Sequence, residues 1–187
     1  MMFGRLLPTS VIRGHWKGLS FYRDDKIRPD VVARVVVVVV PLAVGVAMVL
    51  FHGRLLAPAA LIAGLSLLAG GLLASFGQLS TLRLRLTERA EYEGDGQQTD
   101  RDFLDETVAH LLAAAYGAAV TAALLVVGMN FGLDKSGALI EWWAAVPAAL
   151  GTWVVIVFLI AIPRVYEAYV GMNSVRDALS GTHKGRG

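Results

Sequence analysis

The stretch from Leu55 to Leu82 contains no charged side chain, and this feature constrains the fold more than any other part of the chain. A helix rises 1.5 Å per residue, so about 20 apolar residues cross a bilayer core of roughly 30 Å. The stretch exceeds that length, and a helix in the core of a water-soluble domain has no reason to stay uncharged for so long. We therefore predict a transmembrane helix here.

The composition of the whole chain agrees with a membrane protein. Hydrophobic residues make up 56% of the chain and charged residues 17%, with a mean hydropathy of +0.59. Soluble domains carry roughly 25% charged residues. The net charge of +2 is too small to indicate nucleic-acid binding. Because the chain has no cysteine, it has neither disulfides nor a cysteine-based metal site.

Four apolar runs predict an all-α, polytopic membrane protein with four transmembrane helices. The predicted spans cover about residues 33–52, 55–78, 107–131 and 142–163. Six consecutive valines, Val35 to Val40, would favour a strand in water. In lipid an unpaired strand leaves its backbone groups unsatisfied, so we predict a helix. The short turn His52 to Arg54 predicts that the first two helices are antiparallel neighbours.

Three segments are predicted to lie outside the four-helix domain, which we place at residues 35–163. Residues 1–34 form a basic, amphipathic segment suited to the lipid headgroup layer. Residues 79–106 are interpreted as a helical hairpin that projects from the membrane, with a short strand at 82–86 as the alternative. Residues 164–187 are a C-terminal helix and tail. Small residues spaced four apart in the second and third helices predict that these two helices pack closely.

The distribution of basic residues predicts the orientation in the membrane. Fifteen of the seventeen Lys and Arg residues lie in the two termini and the 79–106 connection. The other side has only Arg54 and Lys135. By the positive-inside rule both termini are cytoplasmic, and we expect the protein in the plasma (inner) membrane.

No arrangement of residues in the sequence indicates an enzyme. None of the four spans contains Asp or Glu, and the four histidines are scattered without ligand spacing. We therefore predict no catalytic residue, cofactor or metal. Among the polar residues predicted to lie deep in the membrane, His110 is the one that is ionisable, and an intramembrane ionisable group is a functional hypothesis by default. A structural alternative places His110 at the cytoplasmic interface, with Glu106 one turn earlier as its partner.

Two groups of residues are candidates for a functional role. One is a polar and small stripe of the third helix, together with an aliphatic position that could close a path by dewetting. These candidate pore-lining or gate residues are His110, Gly117, Thr121, Leu124 and Asn130. The other is an apolar seam on the C-terminal helix, which is too short to be stable alone and so needs a partner. These candidate oligomerisation residues are Ala168, Met172, Val175 and Leu179.

The architecture favours a homo-oligomeric channel or pore controlled from the cytoplasmic side. By analogy, such a protein could be the membrane-permeabilising effector of a bacterial stress or phage-defence system. The alternative is a non-catalytic anchor or accessory subunit that recruits a cytoplasmic partner. A transporter is disfavoured, because the spans lack buried charges for coupling ions. The expected partners are the lipid bilayer, further copies of the chain, and a cytoplasmic protein or small-molecule regulator.

Overall fold

The computed structural model describes residues 8–23, 26–93 and 98–172 of the chain. Its elements are α1 (Thr9–Gly18), β1 (Ser20–Arg23), β2 (Lys26–Pro29), α2 (Val31–Leu50), α3 (Pro58–Glu93), α4 (Gln98–Phe131) and α5 (Glu141–Met172).

Helices α2 to α5 are long and apolar enough to cross a membrane, which confirms the prediction of four such helices. Their apolar windows are Val31–Leu50, Pro58–Leu84, Leu104–Phe131 and Glu141–Tyr166. Helix α3 continues to Glu93 without a break, so the strand alternative at 82–86 is wrong. We call the end of the bundle that carries Arg34, Arg83 and Arg164 the basic end, and the opposite end the turn end.

The helices are arranged in the order α3–α4–α5–α2, since each packs on the next one in this row. The central helix α4 has half of its apolar window buried, whereas the window of the outer helix α3 is only 6% buried. The prediction that the first two spanning helices are neighbours is therefore wrong. The connection between them is longer than a minimal turn. Its residue Leu55 pairs with Leu139 in the α4–α5 connection, which carries the chain across the bundle.

Small residues serve different roles in α3 and α4. The two helices pack along each other as predicted, but through leucines: Leu72 of α3 is buried in one cluster with Leu111 of α4. A Cβ atom added at any of the four glycines of α3 would have no neighbour within 4 Å; these are Gly64, Gly70, Gly71 and Gly77. The small residues of α3 are therefore not at the contact that they were expected to form.

The glycines of α4 make room for tryptophans of α5. A Cβ atom at Gly117 of α4 would lie 2.5 Å from a ring carbon of Trp153, and one at Gly132, the residue that follows α4, would overlap Trp143. In a membrane no hydrophobic force draws helices together, so close packing of this kind holds them in contact. The small residues of α4 thus fix its contact with α5.

The turn end is held by backbone pairing and by one aspartate. Leu55 and Leu139 exchange two backbone hydrogen bonds of 3.0 Å each. Asp134 accepts hydrogen bonds from the Ser136 hydroxyl and the Ala138 amide, and it forms an ion pair of 3.2 Å with Arg54. The Ser136 hydroxyl, followed by the Ala138 amide, holds the pKa of the Asp134 carboxyl below its ordinary value.

The described part of the basic N-terminal segment contains a helix and a two-stranded hairpin, and its position in the headgroup layer stays a prediction. Helix α1 is followed by an antiparallel hairpin in which Ser20 pairs with Pro29. Gly18 lies beside Glu106 and Gly14 beside Ala109, so α1 runs antiparallel to α4. Its N-terminal end borders an apolar pocket of about 260 Å³. That pocket is lined by Pro8, Val11, Ile12, Ala113, Tyr116, Gly117, Val120, Leu150 and Trp153. One side of α1 therefore packs against the spanning bundle, and its other side is exposed.

The C-terminal seam is only partly covered by the structure. Helix α5 continues through Arg164 to Met172, so the backbone of Ala168 and Met172 is helical. Val175 and Leu179 lie outside the described residues. The role of the seam in oligomerisation stays a prediction, as does the cytoplasmic position of the 79–106 hairpin.

Candidate functional site at the basic end of the bundle

Two glycines bring α1 into close contact with α4. Gly14 and Gly18 are four residues apart, so they lie on one face of α1. A Cβ atom at Gly14 would be 3.2 Å from the Ala109 Cβ atom. One at Gly18 would be 2.5 Å from the Glu106 Cγ atom and 3.1 Å from His110 Cε1. A larger side chain at Gly18 would hold α1 away from the bundle, whereas a Cβ atom at Gly14 requires a shift of only a few tenths of an ångström.

This close contact places two histidines against each other inside the protein. His15 of α1 is 3% exposed and His110 of α4 is fully buried. Their Nδ1 atoms are 2.7 Å apart, so one ring donates a hydrogen bond and the other accepts it. The rings meet edge to face with their centroids 4.7 Å apart, and His15 also packs edge to face on Trp153 of α5. The pair thus joins three helices.

An ion pair lies directly beside the histidines. Arg164 Nη1 of α5 is 2.5 Å from Glu106 Oε1 of α4, and each side chain is only about one-fifth exposed. Arg164 also donates a hydrogen bond to the Ser20 carbonyl in the N-terminal segment. In the structural alternative for His110, the sequence analysis named Glu106 as its partner. That interpretation is wrong, because His110 bonds to His15 while the Glu106 carboxylate is bound by Arg164.

A second arginine fixes the C-terminal end of α1. Arg34 of α2 donates hydrogen bonds of 3.2 Å to the carbonyls of Trp16 and Leu19, and its guanidinium lies 5.3 Å from the Trp16 ring centroid. The last carbonyls of a helix have no partner within the helix and carry partial negative charge. Arginines from α2 and α5 therefore satisfy the carbonyls at the end of α1 and just beyond it.

The electrostatics of the site disfavour an additional proton. Burial, reinforced by the positive charge of Arg164, lowers the pKa of His15 from 6.5 to about 4. A histidine whose pKa is depressed in the folded protein stabilises that state fully above pH 6.5, and the contribution is lost as the pH falls toward 4. The contribution of His15 to the stability of the folded protein is therefore fully present at neutral pH and decreases in acid.

The structure places the five candidate pore residues in different surroundings. His110 and Thr121 are buried, and Gly117 is covered by Trp153. The Thr121 hydroxyl donates to the Gly117 carbonyl. Leu124 is half-buried, and Asn130 is exposed with its amide bonded to the Val126 carbonyl. These residues are not gathered around one open path within the subunit, so their role in a pore stays a prediction.

The sequence analysis singled out only His110 of this cluster. His15, Arg34 and Arg164 were missed, because contacts between residues so far apart along the chain leave no local pattern. One signal was present: Gly14 and Gly18 have the same four-residue spacing that was noted in the spanning helices. Applied to the N-terminal segment, it would have predicted a close helix contact with His15 beside it.

No protein-family model, curated protein or solved structure matches this chain.

Proposed function

We propose that this non-catalytic membrane protein assembles into homo-oligomers and forms a channel or pore that is controlled from the cytoplasmic side. The observation that carries the proposal is the uncovered surface of α3, where a Cβ atom added at any of the four glycines would meet no other part of the described structure within 4 Å. Association of helices in lipid depends on close backbone approach at small residues. Such a face within the bundle's outermost helix is suited to a neighbouring copy.

An apolar trough between α3 and α5 supports a conduit. Helix α4 forms its floor. One part, of about 510 Å³, is lined by Gly71, Leu72 and Phe158 among others. A second part, of about 370 Å³, extends toward the turn end and includes Thr121 and Thr152. A neighbouring copy that covers the trough would enclose an apolar path. Paths of that kind close by dewetting and open when they widen.

A test of assembly uses Gly71→Leu, which puts a bulky side chain on the trough side of α3. We expect the wild-type protein in nanodiscs to have the mass of a defined ring and to pass ions after reconstitution into liposomes. The variant is expected to lose subunits and at least about ten-fold in ion flux, because a clash of 1–3 kcal/mol at each contact weakens association. Mass photometry and a liposome flux assay measure both.

The matched control is Leu73→Phe, which adds bulk at an exposed position of the same helix. It is expected to keep the wild-type mass and flux. A folded wild-type protein that is monomeric and passes no ions would contradict the pore.

The second candidate function is that of an anchor. Helix α3 continues to Glu93, beyond its apolar window, and this extension favours the anchor because it offers a surface for binding a soluble protein. Binding of a soluble protein by such a monomer would support the anchor.

Control from the cytoplasmic side requires the basic end to face the cytoplasm. Because the chain lacks cysteine, a single introduced thiol gives an unambiguous label. Thiols at Leu56 and Ser136 of the turn end are expected to react with a membrane-impermeant reagent added outside intact cells, and one at Gly94 only after lysis. Leu56 is 80% exposed, whereas a side chain at Gly53 would meet Met48. The reverse labelling pattern would contradict the orientation.

A further inference from the structure

The protons of the His15–His110 pair can be counted from its single hydrogen bond. The ring that donates through Nδ1 has a bare Nε2 atom, and the ring that accepts at Nδ1 carries its proton on Nε2. Both Nε2 atoms are buried; that of His15 has no hydrogen-bond partner within the structure described, and that of His110 has only the backbone of Gly18 beside it. A further proton would therefore place a positive charge in a buried site, which is costly without a compensating anion.

The charged side chains that the structure describes around the pair do not offer that stabilisation. Arg164 of α5 and Arg34 of α2 are both cationic and flank the end of α1. The nearest carboxylate, Glu106 of α4, is already bound by Arg164. Asp105, the residue before Glu106, is exposed and forms an ion pair with Arg83 of α3. The remaining described basic residues of α1 itself, Arg13 and Lys17, are exposed and add positive charge.

We propose that the His15–His110 pair is a proton-sensitive latch, which holds α1 against the bundle at neutral pH and releases it as the pH falls toward 5. Release separates the two rings and gives each of them access to water or headgroups, where an imidazolium is well solvated. The proton is thus a ligand that binds the released state more tightly than the docked one, which is what shifts such an equilibrium.

The size of the effect follows from His15. Its pKa is about 4 in the docked state against 6.5 for a solvated histidine. Protonation of this one residue therefore increases the released fraction, relative to the docked one, by about 30-fold between pH 7.5 and pH 5. Below pH 4 the effect levels off, because both states are then protonated.

The latch is in contact, through Trp153, with a residue that was predicted to line the pore. Trp153 links the two regions, because its ring packs on His15 on one side and against Gly117 on the other. Release of α1 also opens the apolar pocket of about 260 Å³ that α1 borders. The latch does not depend on ion conduction, because its test measures whether α1 is docked on the bundle. A failure of the latch can therefore be distinguished from a failure of the pore.

The test is hydrogen exchange of the α1 amides, measured by mass spectrometry in phosphatidylcholine nanodiscs between pH 7.5 and pH 5. The comparison protein is the double variant His15→Phe/His110→Phe, which keeps two aromatic rings but cannot take up protons. Replacing both partners leaves no buried polar group unpaired. Dividing the wild-type rate by the variant rate at each pH removes the intrinsic pH dependence of exchange. We expect this ratio to rise by about 30-fold, and a ratio that stays constant would overturn the latch.

A second protein keeps the histidines and so remains informative if the double variant does not fold. It is Gly14→Cys/Ala109→Cys, whose Cβ atoms are close to the separation of about 3.5–4.5 Å found in disulfides. In the oxidised form α1 is tied to α4, and its exchange at pH 5 is expected to stay slow. Reduction is expected to restore the acid response. Equal exchange at pH 5 in the oxidised and reduced forms would also overturn the latch.

Discussion

Alanine at Gly117 is expected to lower the free energy of unfolding by about 2 kcal/mol, within the range for adding a methyl group to a packed core. The added Cβ atom would lie 2.5 Å from Trp153 and 3.0 Å from a methyl group of Val154. The Trp153 ring has little room to move, because His15 packs against it from α1. Thermal or denaturant unfolding in detergent micelles, followed by tryptophan fluorescence, measures the loss.

The matched control is Gly70→Ala, which makes the same chemical change in α3 with no atom within 4 Å of the new Cβ. Because alanine favours a helix over glycine by roughly 1 kcal/mol, this variant is expected to be as stable as the wild type or slightly more stable. Equal losses at Gly117 and Gly70 would contradict the close contact between α4 and α5.

Removal of the Arg164 charge by Arg164→Gln is expected to have an even larger effect, about 3 kcal/mol of unfolding free energy. Breaking a buried ion pair from one side leaves the other charge without compensation, which costs roughly 3–5 kcal/mol when burial is complete. Both side chains here are about one-fifth exposed, so the low end of that range applies. The variant also loses the hydrogen bond to the Ser20 carbonyl. Unfolding in micelles at pH 7.5 measures the difference.

The adjacent ion pair provides the control for Arg164→Gln. Asp105 and Glu106 are neighbours in α4, but Asp105 is 58% exposed in its pair with Arg83. Asp105→Asn is expected to cost less than about 1 kcal/mol, as exposed pairs do. The double variant Glu106→Gln/Arg164→Gln should recover part of the loss, because no charge is then left unpaired. An effect at Arg164 as small as that at Asp105 would show that the Glu106–Arg164 pair is solvated.

The four spanning helices could be predicted because each depends only on the residues of one continuous stretch of the sequence. Each requires only a run of apolar residues long enough for the bilayer, and lipid leaves a helix as the one way to satisfy the backbone. The same reasoning chose a helix for the six valines of α2, against their preference in water. The order of the helices could not be predicted this way. It depends on contacts between residues far apart in the chain, of which the Leu55–Leu139 pairing is one.

The role of small residues shows the same division. The sequence identified glycines at helical spacing in both α3 and α4, and these residues are equivalent by composition. In the structure Gly117 is covered by Trp153, while Gly70 faces open space. Which glycine packs against a tryptophan depends on the rotation of α5 about its axis, and no local sequence pattern predicts that rotation.

The amino-acid sequence by itself therefore determined that the protein has four helices able to cross a membrane and that fifteen of its seventeen Lys and Arg residues lie in the two termini and the 79–106 connection. Both follow from the transfer free energies of individual residues, which depend on composition along short stretches. Only the tertiary structure decided that α1 docks on the bundle and that His15 meets His110. A hydrogen bond between two buried rings depends on distance and direction in space, and these arise only when α1, α4 and α5 are packed together.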